Sequence, residues 1–235
     1  MLTFKTTAVI PARSGSKGIP MKNIAPLYGK PMLGWVIEEA KKSSFVSETI
    51  VSTDSDEIAA AAKAFGATVC MQPAELSGDF STSDSAVLNV LLNKIENGDA
   101  LPETTVLLHC SSPLMLAEDI DGTIRAMETT QSDCAFTVVP VYKYFWKTDE
   151  TTGETIEDGH DRKFRQVRQK RNPKYLETGA VYAMRTQGFL ENKTRLFGQT
   201  VMYETPYERF CDIDTRTDLT IAEVLMAEQV KNGLR

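Results

Sequence analysis

Hydrophobic positions in this chain fall into short runs separated by longer amphipathic stretches. The runs at residues 6–12, 48–53, 67–71, 104–110 and 133–139 are rich in apolar and β-branched residues, as buried strands are. Between them the apolar residues switch to helical spacing. In Pro31–Lys42, Met32, Leu33, Val36, Ile37 and Ala40 share one face. Asp54 is placed to cap the next helix with Glu57 as its reciprocal partner, and Gly66 to end it in left-handed backbone. A third helix opens at Ser81, buries Val87, Leu88, Leu91, Leu92 and Ile95, and stops at Gly98; Asp119–Thr129 forms a fourth. Strand–helix alternation of this kind predicts an α/β fold, a mostly parallel sheet with helices on both faces.

The pattern changes at about 141–175. Tyr142, Tyr144, Phe145 and Trp146 cluster there, followed by a polar stretch and KFRQVRQKRNPKY. This reads as a small lobe inserted into one domain spanning 1–235. Its aromatics suit an oligomer interface or a satellite core under a long loop. Gly179–Met184 and Gln199–Tyr203 then read as strands, and Thr215 caps a closing helix with Leu219, Ile221, Ala222, Val224 and Leu225.

Composition narrows the function classes. The chain has 235 residues, 42% hydrophobic and 25% charged, with a formal net charge of −6, enough for a core without staples. Mild acidity without a basic stripe argues against a nucleic-acid surface. No apolar run approaches ~18 residues and no leader-like h-region precedes the first arginine, so a cytoplasmic protein without a membrane span is expected. Cys70, Cys110, Cys134 and Cys211 lie far apart with no C-x-x-C, which reads as reduced thiols.

The most informative stretch is VIPARSGSKGIPMKN, from Val9 to Asn23. An apolar strand feeds a loop carrying Arg13, Gly15, Lys17 and Gly18 and closing on Lys22 and Asn23. Glycines allow backbone N–H groups to turn inward on an anion, Arg13 offers a planar fork and Lys17 a point charge. At the end of a first strand such a loop lies where α/β folds bind ligands. Neither the P-loop nor the dinucleotide glycine pattern is present, which disfavours a nicotinamide dehydrogenase. Far downstream, Asp212 and Asp214 flank Ile213, so on extended backbone both carboxylates face one way, as Mg²⁺ shared with phosphates requires. The plainer alternatives are a solvated turn for the loop and two helix caps for the aspartates. His109 and Cys110 are neighbours on a strand and point to opposite faces, so they are poorly placed as a nucleophilic pair.

The ordered segments ARSGSKGIPMKN, VSTDSDEIA, QPAELSGDFSTS, LLHCSSPL, VRQKRNPKYLETGAVYAM and DIDTRTDL resemble those of the acylneuraminate cytidylyltransferases through nearly the whole chain. That resemblance implies a Rossmann-like nucleotidyltransferase fold with a dimerisation lobe, and a Mg²⁺-dependent transfer of CMP from CTP to a 2-keto-3-deoxy sugar acid. It places Arg13, Ser16, Lys17, Lys22, Asn23 and Ser83 on the nucleotide, with Arg13, Lys17 and Asp214 catalytic. Asp212 and Asp214 would hold the metal. His109, Lys147, Arg168 and Gln169 would meet the sugar acid, and the partners would be CTP, the sugar acid and a second copy of the chain.

Departures gather on the sugar side. Many family members have Gln-Pro-Thr-Ser-Pro where this chain has His109-Cys110-Ser111-Ser112-Pro113. Arg is common at Gln72, and Asn-Gly-Ala at Thr178-Gly179-Ala180, here preceded by Glu177. The acceptor is therefore open among nonulosonic acids, legionaminic, pseudaminic or Kdn, and the eight-carbon Kdo. A non-catalytic nucleotide-binding regulator is the rival from another class.

Overall fold

The computed structural model describes residues 6–16, 18–73 and 82–235. Lys17 and Ser81 lie outside them. The first half runs β1 (Thr6–Pro11), a small hairpin of β2 (Pro26–Leu27) and β3 (Lys30–Pro31), α1 (Met32–Lys42), β4 (Val46–Thr53), α2 (Asp56–Ala64), β5 (Thr68–Met71), α3 (Ser83–Glu96) and β6 (Thr104–Leu108). The second half runs α4 (Ala117–Thr130), β7 (Cys134–Val141), β8 (Phe145–Thr148), β9 (Thr155–Asp158), β10 (Lys174–Arg185), α5 (Thr186–Asn192), β11 (Thr200–Glu204) and α6 (Arg216–Lys231).

Seven strands form the central sheet in the order β11-β7-β10-β6-β1-β4-β5. β4, β5 and β6 run parallel to their neighbours around β1, whereas β10 runs antiparallel to both β6 and β7. The period-two alternation of strands divides the core. Ala8, Ile10, Val106 and Leu108 face α1, α2, α4 and α6, and Val9 and Leu107 face α3 and α5. Helices therefore cover both faces, as the alternation of elements predicts. β8 and β9 pair as a separate two-stranded hairpin between β7 and β10, the inserted lobe.

Several local expectations change. Ser55, not Asp54, caps α2, its hydroxyl accepting from Ile58 N at 3.4 Å. α3 opens at Ser83 with Thr82 as its cap, accepting from Ser85 N at 3.1 Å. Leu92 and Ile95 on α3 are exposed, because the sheet-facing line 87–90–91 continues to Lys94, which pairs with Glu48 at 2.8 Å. On α6, Ile221 and Val224 are likewise exposed. The buried line is Ala222, Met226 and Gln229, whose amide donates to Leu114 O at 2.9 Å. In both helices a polar residue with a specific partner occupies the inner line, so the apolar pattern points slightly off axis.

Candidate active site

A cleft of about 560 Å³ opens at the carboxyl ends of β1, β5 and β6, the usual ligand position in such sheets. Arg13, Ser16, Lys22, Asn23, Ser83, His109, Asp212 and Asp214 all line it, with Gln72 and Thr82. The two distant motifs thus form one wall. Gly18 shows how closely they meet, since a Cβ there would lie 2.1 Å from the Asp214 carbonyl oxygen. Lys22 Nζ adds an ion pair to Asp214 Oδ1 at 2.9 Å.

The loop is tied down by its own side chains. Ser14 donates N–H and Oγ–H to the two Asp54 oxygens at 2.8 and 2.9 Å. Asn23, buried, donates its amide to Arg13 O at 2.8 Å, so this nitrogen holds the loop. Positive φ falls at Met21 (51°) and at neither Gly15 nor Gly18, so Gly18 is needed for close approach and not for left-handed backbone. The first turn of α3, capped by Thr82, brings Ser83 to the cleft, so the positive end of that helix faces it.

Buried Ile213 anchors the acidic segment, its N–H donating to Ser111 O at 2.9 Å. Asp212 and Asp214 are left exposed on either side. Neither caps α6. Thr215 and Asp218 do so reciprocally, with Asp218 N to Thr215 Oγ at 3.3 Å and Thr215 N to Asp218 Oδ2 at 2.7 Å. The Thr215 hydroxyl, donating to Asp218 Oδ2 at 2.8 Å, together with the N–H groups of Thr215 and Asp214, holds the Asp218 carboxyl below its usual range. The carboxylates of Asp212 and Asp214 take no part in that cap.

A cytidylyltransferase family model matches residues 7–231. The chain belongs to the cytidylyltransferase family. It is therefore a nucleotidyltransferase. A pseudaminic acid cytidylyltransferase of Campylobacter jejuni is 27% identical over 94% of this chain and 96% of its own. The N-acylneuraminate cytidylyltransferases of Danio rerio (form A) and Streptococcus agalactiae serotype V are each 32% identical over 92% of this chain, which spans 50% and 52% of their lengths. Among solved structures, a CMP:2-keto-3-deoxy-manno-octonic acid synthetase complexed with CTP superposes with TM-score 0.70. It is 19% identical and covers 96% of this chain and 99% of its own. That likeness establishes a shared fold.

Beside the cleft of this cytidylyltransferase, Arg195 gathers His109, Asp84 and Tyr182 into one network. Arg195 donates from Nε to Asp84 Oδ1 at 2.8 Å and from Nη1 to His109 Nε2 at 3.3 Å, and stacks over Tyr182 at 4.9 Å. It links the first turn of α3 to the end of β6. Tyr182 in turn donates to Glu177. Burial, then the Arg195 charge, lowers the His109 pKa to about 4, against an opposing backbone hydrogen bond at Gly179. His109 is therefore neutral, with both ring nitrogens engaged, and offers the cleft a flat ring. Cys110, on the other face, is fully buried with its thiol pushed up to about 12, and donates to Asn23 O at 3.5 Å. A thiolate–imidazolium pair is excluded on both counts. No local pattern marks Arg195, which sits in the polar run NKTRLFG far from its partners in sequence.

Thr178 is structural. Its hydroxyl lies 2.5 Å from that of Thr137 inside a register break of β10, where Gly179 has φ +73°. Lys147 stands exposed on β8, and Arg168 stacks on Tyr142 at 5.0 Å beside exposed Gln169. All three belong to the lobe, and among the described residues none of the lobe lines the cleft. All four cysteines carry free thiols. No described helix is long and apolar enough to cross a membrane.

Proposed function

We propose that this cytidylyltransferase joins CMP from CTP to the anomeric 2-hydroxyl of a nonulosonic, sialic-type acid and releases pyrophosphate. The observation that carries this reading is the contact of the basic N-terminal loop with the acidic segment, where Gly18 and Lys22 both meet Asp214. Cations for a polyphosphate and carboxylates for a divalent ion then share one cleft. Relatives named for N-acylneuraminate and pseudaminic acid supply the acceptor class.

Arg13, with Lys17, Ser16 and the first turn of α3, would hold the phosphates of CTP, and Lys22 would balance charge beside the α-phosphate. Asp212 and Asp214, both exposed in the cleft, would offer two carboxylates to Mg²⁺, Asp214 beside its Lys22 partner. Such a pair leaves most of the shell to water and phosphate oxygens, which Mg²⁺ favours. Bound there, the ion would offset triphosphate charge. The acceptor hydroxyl forms the new O–P bond as the bond to the β-phosphate oxygen breaks, and its proton passes to Asp214. His109 is unsuited to that base role because its nitrogens are engaged and its pKa is about 4. Lys147, Arg168 and Gln169 would reach a sugar carboxylate from the lobe, and the lobe's exposed Val167, Tyr175 and Leu176 would pair two chains into a homodimer. Reduced thiols suit a cytoplasmic enzyme.

Pyrophosphate release from CTP and Mg²⁺ should be measured against N-acetylneuraminate, Kdn, legionaminate, pseudaminate and Kdo. Turnover with one of the nine-carbon acids is expected, and silence across the panel would remove the reading. Asp212→Asn should lower turnover by about 10²-fold or more with an unchanged melting temperature. Near-normal turnover in that variant would remove the metal assignment. A pseudaminate preference is the second reading, favoured by the full-length match to the Campylobacter jejuni relative.

A further inference from the structure

The inserted lobe contains its own cavity of about 310 Å³, separate in its lining from the catalytic cleft. Its walls are aromatic and cationic. The His160 ring sits between Tyr144 at 4.8 Å and Trp146 at 5.1 Å, and the Arg171 guanidinium lies over Tyr144 at 4.4 Å. The His160 contacts are tilted (55°) and edge-on (79°), and none of these ring contacts is a hydrogen bond. Both His160 ring nitrogens, and Nε and Nη1 of Arg171, are buried without a hydrogen-bond partner. Buried polar atoms are almost always partnered, so four such atoms beside one cavity call for an occupant. Lys143 and Lys174 line the same cavity. Lys174 is directed to Asp158, at 2.5 Å from its carbonyl and 3.5 Å from Oδ2. The one carboxylate in the lining, Asp161, accepts from Lys163 N at 2.7 Å.

Arginine and lysine only donate, and histidine can donate from either edge. The complementary group is an acceptor-rich anion, flat or tetrahedral, and the cavity has room for the substituent that carries it. We propose that this pocket is a second, non-catalytic binding site for an oxyanion, a carboxylate or phosphate group, held by Arg171 and His160 with Lys143 at its mouth. It shares no residue with the nucleotide cleft, so it stands independently of the reaction proposed above.

Trp146 provides a built-in reporter, because its ring lies 5.1 Å from that of His160, whereas Trp35 is buried in the main core. The full chain is titrated with inorganic phosphate and with acetate at constant ionic strength, using chloride as the control, and tryptophan emission is followed. A saturable change with either anion is expected. Phosphate alone points to a phosphoryl-bearing ligand, acetate alone to a carboxylate-bearing one, and both to the shared oxyanion chemistry. Arg171→Gln and His160→Gln should each weaken binding about tenfold, the usual consequence of losing a charge-assisted hydrogen bond. Lys143→Gln, at an exposed position that does not threaten folding, should weaken it less. Emission that follows chloride alone, or saturation unchanged in Arg171→Gln and Lys143→Gln, would overturn the site and leave a pocket filled only by water.

Discussion

At Gly18 a single hydrogen atom separates the basic loop from the acidic segment. The nearest atoms to an added methyl are backbone, Asp214 O at 2.1 Å and its carbonyl carbon at 3.3 Å, so no flexible side chain can yield. Either the loop or Asp214 must move, and displacement by about 1 Å at a reacting centre costs roughly 10²-fold in rate. Gly18→Ala should therefore lower kcat/KM for CTP about 100-fold. Gly18 itself is exposed and outside the core, so thermal unfolding should stay within a few degrees; pyrophosphate release and circular dichroism test the two halves. His109 carries a different consequence. Its folded pKa is about 4 against 6.5 for the free side chain. Above pH 6.5 both the folded and unfolded states are neutral there, and its stability contribution is fully present. As pH falls the unfolded chain takes up the proton first, so stability is lost through the window down to 4, by roughly 2 kcal/mol at pH 5. His109→Gln removes this titration, and the pH 7 to pH 5 fall in urea stability should shrink by about that amount. Equal falls in both proteins would mean that His109 titrates normally.

Between elements, Asp54 and Ser55 divide two tasks that the local pattern assigns to one residue. Ser55 caps α2, and Asp54 reaches back across the sheet to hold Ser14 through both oxygens. Ser55→Ala should cost about 1 kcal/mol of stability with ordinary kinetics. Asp54→Ala should lower stability, since hydrogen bonds to a charged acceptor contribute about 1.5–3 kcal/mol, and by releasing the loop it should also raise KM for CTP about tenfold or more. If the Asp54 variant loses stability and keeps its KM, the cap is the correct assignment. The same contrast shows what is legible in this sequence. Ala8–Ile10 and Val106–Leu108 are buried on both sheet faces, so their unbroken apolar runs declare parallel strands directly. The lobe shows itself by a change of texture, and the loop and D-I-D segments by residue type. What escapes is pairing across long separations. Arg195 and Asp84 are 111 residues apart, and nothing near either suggests the other. Likewise Lys94 and Gln229 look like surface residues until Glu48 and the Leu114 carbonyl are seen beside them.

Across the whole molecule, Arg235 plays for the underside of the cleft the part that Asp54 plays for the loop. Its guanidinium donates to Pro113 O at 2.6 Å, Met115 O at 2.7 Å and Gln229 Oε1 at 2.7 Å, and lies over Trp35 at 5.2 Å. Burial lowers its pKa, and the Glu39 charge opposes that shift at 3.8 Å. The segment it holds, 113–115, follows Ser111, whose carbonyl accepts from Ile213 between the two cleft aspartates. α6, α1 and the turn after β6 are thus fastened at one point behind the wall of the cleft. Arg235→Ala leaves two buried carbonyls without this donor and takes a counter-charge from Glu39, which keeps Ala117 N at 2.9 Å and Lys42 at 2.7 Å. The loss should be about 3 kcal/mol, in the range for breaking a buried ionic contact. Urea unfolding measures it. Because the fastened turn supports Ile213, the same variant should also lower kcat under conditions where it is fully folded. A stability loss with unaltered kcat would show that the turn keeps its shape without the clamp, and would confine Arg235 to holding the helices together.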